Sequence, residues 1–141
     1  MSRHCLTYIG SFPPPYGGVT VKNALLYKHL SDRLTMDKLD LSIVKELNPR
    51  MILRLIRCLF SHDGLLVLGV SADWRYRLTC LLHRFNRSKM GRSILIVMGG
   101  KTPENVTYAN RLNGYRRVYV ETESMKHAFE AMGVHNVSIY P

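Results

Sequence analysis

Apolar residues collect in six short runs, at 4–10, 35–41, 64–70, 93–98, 117–120 and 136–140, with helix-length segments between them. Strand and helix alternating at spacings of roughly 20 to 30 residues reads as successive βαβ crossovers. The predicted fold class is α/β: a Rossmann-like three-layer sandwich, a mostly parallel sheet of about six strands with helices on both faces. Leu65-Leu66-Val67-Leu68 and Ile94-Leu95-Ile96-Val97 are continuously apolar. Such runs suit central strands buried on both sides.

Capping residues divide the intervening segments. Asn48 before Pro49 predicts a helix over about 49–61, and Thr102 before Pro103 predicts another over about 103–112. Ser71 is expected to cap a helix near 72–89, with Asp73 in its first turn and Arg84, Arg87 and Lys89 toward its end, as the helix dipole favours. Thr122 with Glu123 opens the last helix, and Gly133 closes it. In an open parallel sheet, ligands bind beyond the carboxyl ends of the strands, where strand order reverses. The loops Gly10–Gly18, Leu41–Asn48, Val70–Asp73, Met98–Thr102 and Val120–Thr122 are therefore the places to look.

At 141 residues the chain reads as one domain of ordinary size, 1–141. No stretch approaches the roughly 20 apolar residues that span a bilayer, and no secretory signal is visible at Met1-Ser2-Arg3-His4-Cys5. Cys5, Cys58 and Cys80 are odd in number and lack CxxC spacing, which points to free thiols in a reducing cytoplasm and to no metal site. The formal charge of +10 and a pI near 9.9 favour a polyanionic neighbour: nucleic acid, lipid headgroups or a phosphorylated substrate.

The first loop, Ile9-Gly10-Ser11-Phe12-Pro13-Pro14-Pro15-Tyr16-Gly17-Gly18, runs from a strand into a helix. Backbone amides at such a helix start can receive a phosphate. The same glycines also suit close packing of helix on strand. Their spacing is not GxGxxG, and no GxxxxGK[ST] is present, so neither a nicotinamide dinucleotide nor a P-loop nucleotide is indicated. Asp40 is the nearest candidate for a ribose-binding acid. A second glycine pair, Met98-Gly99-Gly100-Lys101-Thr102, is expected across the switch point from the first. Lys101 could meet a phosphate or carboxylate, or be solvated, and Thr102 could offer a hydroxyl or only a cap. Six histidines are scattered without ligand spacing, and no GxSxG, HExxH or Cys/His signature occurs.

Arginines carry a further signal. Arg50, Arg54 and Arg57 fall at i, i+4 and i+7 on one stripe, with Met51, Ile52, Leu55, Ile56 and Leu59 as the apolar remainder. A basic amphipathic helix of this kind rests on anionic lipid or turns its arginines to water. The following helix adds Arg75, Arg77, Arg84, Arg87 and Lys89 among Trp74, Tyr76 and Phe85.

The opening Pro13-Pro14-Pro15-Tyr16-Gly17-Gly18-Val19-Thr20-Val21 and the closing Val118–Lys126 and Gly133–Pro141 segments resemble the N-terminal half of a group 1 (family 4) retaining glycosyltransferase of the GT-B fold. The resemblance implies an acceptor-binding domain of a nucleotide-sugar-dependent enzyme of cell-surface polysaccharide or glycoconjugate synthesis, cytoplasmic and peripheral at the inner membrane face. It implies hexosyl transfer without a cofactor, the nucleotide sugar being substrate, with Gly17 and Gly18 near the donor diphosphate. Tyr16, Lys101 and Thr102 are placed on the acceptor side by position. The donor domain of such an enzyme is absent from these 141 residues, so the chain alone is expected to be inactive. Where many members carry a histidine after the fourth strand this chain has Met98-Gly99-Gly100, and no catalytic residue carries over. The alternatives are a non-catalytic subunit of a two-chain glycosyltransferase and a basic nucleic-acid-binding module, the latter without a recognisable motif.

Overall fold

A computed structural model describes residues 6–13, 17–41, 49–61, 64–97 and 105–139, the side chains of Ala72 and Asp73 excepted. Strands β1 (Leu6–Gly10), β2 (Met36–Asp40), β3 (Leu65–Val70), β4 (Ile94–Val97), β5 (Arg117–Val120) and β6 (Val137–Ile139) form one sheet. Every pairing is parallel, in the order β2-β1-β3-β4-β5-β6. The helices are α1 (Gly18–Ser31), α2 (Pro49–Phe60), α3 (Ala72–Phe85), α4 (Arg87–Met90), α5 (Val106–Leu112) and α6 (Glu123–Ala131). This is the expected Rossmann-like α/β sandwich.

Handedness distributes the helices. The crossover from β1 to β2 runs one way along the sheet and every later one runs the other, so right-handed connections put α1 alone on one face. The two cores agree with that division. Tyr8, Phe12, Met36, Val67 and Ile96 pack with Val19, Leu26, Tyr27 and Leu30 beneath α1. On the other face Ile9, Leu39, Leu68, Leu95 and Val118 meet residues of α2, α3, α5 and α6, among them Leu55, Leu78, Leu112 and Phe129. β3 and β4 are the apolar runs expected of central strands, whereas β2, at the edge, exposes Asp37 and Lys38.

Two helix boundaries differ from the sequence expectation. The segment 72–89 is not one helix: Asn86 leaves helical geometry, donates through Nδ2 to Leu59 O at 3.0 Å and Ser61 O at 3.1 Å, and accepts from Lys89 N. It thus starts α4 while tying down the end of α2. The helix expected from Pro103 begins at Val106, capped by Asn105, whose Oδ1 accepts from Tyr108 N at 2.8 Å. Gly133, at φ +97°, ends the last helical segment as predicted. No helix among the described residues is long and apolar enough to cross a membrane.

Polar side chains between α3 and α5 are paired inside the core. Arg75 Nε donates to the Tyr108 hydroxyl at 3.1 Å, and the Thr79 and Tyr115 hydroxyls are 2.8 Å apart. Burial pushes the Tyr115 phenol well above its ordinary range, against the opposing effect of the Thr79 bond. Because the folded chain holds this proton more tightly than the unfolded chain, its contribution to stability is complete below pH 10.0 and is lost as pH rises above it. Tyr115→Phe is expected to flatten that alkaline decline, read as the urea midpoint across the range. An equal decline in both proteins would assign it to another group.

Candidate functional site

Strand order reverses between β1 and β3, whose carboxyl ends meet with Gly10 opposite Gly69. At this switch point a doubly wound sheet opens a crevice for ligands. A side chain from α1 occupies its floor. Asn23, fully buried, donates through Nδ2 to Ser11 O at 3.0 Å and Gly69 O at 2.7 Å, and its Oδ1 accepts from the Tyr8 hydroxyl at 2.6 Å. The two glycines make the room. A Cβ on Gly69 would overlap Asn23 Oδ1, and one on Gly10 would stand 2.8 Å from Gly69 O and 2.9 Å from Asn23 Nδ2. Asn23 was not singled out from sequence. Its signal was Gly69 interrupting an apolar strand, the mark of a close approach.

The clamp sets the start of α1 above the crevice. Gly17 is the extended N-cap, and its N–H donates to Thr20 Oγ1 at 2.8 Å while that hydroxyl donates back to Gly17 O at 3.1 Å. The Gly17 amide is therefore engaged within the cap. Gly18 differs: a Cβ there would meet nothing within 4 Å. The first intrahelical bond runs from Val21 N to Gly17 O, so helix geometry gives the amides of Gly18, Val19 and Thr20 no acceptor within α1. No acidic side chain of α1 itself stands in this first turn, where the positive end of the helix dipole lies.

Other groups at this end of the sheet are structural. Asp40 Oδ1 accepts from Phe12 N at 3.3 Å, which anchors the first loop to β2. Lys38 Nζ lies 4.8 Å from the Phe12 ring centre. Lys22 Nζ meets Glu121 Oε1 at 2.5 Å, linking the first turns of α1 to the end of β5 across β3 and β4. Being solvent-exposed, such a pair adds at most about 1 kcal/mol. Thr122 caps α6, accepting from Met125 N at 3.2 Å.

Tyr16, Lys101 and Thr102 lie outside the described residues. The strand that leads to Met98-Gly99-Gly100, however, is placed. β4 is separated from β1 by β3, and the glycine pair that follows it lies outside the described residues. Arg50, Arg54 and Arg57 are all exposed on α2, as expected. Two cations assigned to the surface of the next segment are instead internal. Arg75 is buried beside Tyr108 and over the Phe129 ring, and the buried Lys89 ammonium donates to Cys58 O and, at 3.1 Å, to Ser61 Oγ. Burial and the nearby Arg87 and Arg111 guanidiniums lower the pKa of His83 from its ordinary value, which favours the neutral imidazole. No cluster of metal-ligating side chains occurs among the described residues.

No protein-family model, curated protein or solved structure matches this chain.

The clamp makes opposite demands on neighbouring glycines. Gly69→Ala is expected to cost about 1–3 kcal/mol through overpacking, and Asn23→Leu about 3 kcal/mol because two buried partners and one part-buried partner lose their bonds. Gly18→Ala, in open space, should stay within about 0.5 kcal/mol of the parent. Urea denaturation of the three variants measures this, and equal midpoints would remove the clamp from the account.

Proposed function

We propose that this chain is the acceptor-side lobe of a nucleotide-sugar-dependent glycosyltransferase, and that the crevice between β1 and β3 receives the donor diphosphate. The observation that carries the reading is the open first turn of α1, Gly18 to Thr20, held over the switch point by Asn23. Breaking a bond from sugar to diphosphate builds negative charge on the leaving phosphate. Fixed amides at a helix start stabilise that charge without reorganising. The resemblance of residues 13–21 and 118–141 to retaining glycosyltransferases supplies the reaction class. In that reading the Gly17–Thr20 cap keeps the turn in one shape, and a donor-binding lobe closes over the crevice. Hexosyl transfer belongs to the closed pair of lobes, so the 141-residue chain alone transfers no sugar.

The test uses one amide. Gly18 is the first residue of α1 and follows an extended Gly17, so Gly18→Pro suits the backbone while deleting a single donor. Uridine diphosphate and inorganic pyrophosphate are expected to shift the amide resonances of Gly18, Val19 and Thr20 saturably, and uridine is not. Gly18→Pro should keep the parent urea midpoint but weaken both ligands by on the order of tenfold. Diphosphate binding unchanged by Gly18→Pro, or shifts confined to other residues, would refute the assignment.

A further inference from the structure

One face of α2 is unaccounted for by folding. Leu55 and Leu59 enter the core, with Met51, Ile52 and Cys58 packed against it. The sequence expectation placed Ile56 with them, but Ile56 is 46% exposed, as are Leu53 at 49% and Phe60 at 42%. At i, i+3 and i+7 these three make a second apolar stripe, turned to solvent. It continues onto α3. The Phe60 and Phe85 ring centres are 5.6 Å apart, and Phe85 is 58% exposed with Leu81 one turn before it.

Cations border this strip. Arg50, Arg54 and Arg57 run along the α2 side, and the Arg84 guanidinium lies 5.5 Å from the Phe85 ring centre on the α3 side. Between residues 49 and 92 every acidic residue of the sequence is Asp63 or Asp73, and α2 contains none.

We propose that the outer face of α2 and α3 docks on an anionic lipid bilayer, Leu53, Ile56, Phe60 and Phe85 entering the headgroup boundary while the arginines bind lipid phosphates. A polyanion such as nucleic acid would use the arginines and leave the apolar strip in water. A second copy of the chain on this face would oppose two rows of arginine. An anionic interface alone satisfies both features, since apolar side chains sink a few ångströms below the level at which arginines meet phosphate. The surface is separate from the crevice, and its lipid binding is independent of any diphosphate.

Sedimentation of the 141-residue chain with vesicles of phosphatidylcholine, alone or mixed with phosphatidylglycerol, tests the proposal. The chain is expected to pellet with the mixed vesicles only, and less so at high salt. Trp74, the one tryptophan, lies on α3 and reports binding by fluorescence. Arg50→Gln/Arg54→Gln/Arg57→Gln should lower the partition coefficient on the order of 100-fold. Leu53→Gln/Phe85→Gln, which leaves the charge unchanged, should lower it on the order of tenfold. Both variants substitute exposed side chains and should keep the parent circular dichroism and urea midpoint. The proposal is overturned if the parent stays in the supernatant, or if the apolar variant partitions like the parent. A solution dimer that Leu53→Gln/Phe85→Gln dissociates would also overturn it, assigning the face to self-association.

Discussion

Asn23 is the only fully buried side chain of α1, and its amide packs against two glycines, at each of which a Cβ would come within 3 Å of it. Three bonds hold it, to the Tyr8 hydroxyl within β1, to Ser11 O just past β1 and to Gly69 O in β3. In a dry interior each of these partners would be costly to leave unmade, so the helix cannot slide or roll without losing all three. The position of α1 over the β1–β3 crevice rests on this lock together with the apolar contacts of Val19, Leu26, Tyr27 and Leu30. The start of the helix is carried to the same place.

The sheet's asymmetry shapes the rest of the surface. A single reversal of direction between β1 and β3 leaves α1 on one face and α2, α3, α5 and α6 on the other. The crowded face holds the larger core, and Asn86 binds the ends of α2 and α3 to each other from inside it. With their inner sides consumed by packing, α2 and α3 still carry apolar residues outward. The formal charge of +10 is likewise divided. Arg75 and Lys89 are internal pins, while Arg50, Arg54 and Arg57 remain in solvent.

The strands and their parallel arrangement were legible in the sequence because apolar runs and the spacing between them are local properties. All six strands fall inside the expected ranges, and Pro49, Glu123 and Gly133 mark helix ends as their chemistry demands. The amide-bearing turn at Gly17-Gly18 was legible for the same reason. The engagement of the Gly17 amide was not, since that depended on Thr20 folding back onto Gly17.

By itself, then, the sequence determined which segments are strands and helices, where most helices begin and end, and that positive charge exceeds negative. Periodicity, capping and composition act over a few residues and are written along the chain. Only the tertiary structure decided that Asn23 is a buried clamp, that Asn86 breaks a helix to hold another, that Arg75 and Lys89 are inside, and that Leu53, Ile56 and Phe60 are outside. Each of these depends on partners in other elements. A side chain's face and neighbours are set when crossovers stack those elements, and the one-dimensional pattern is compatible with either side.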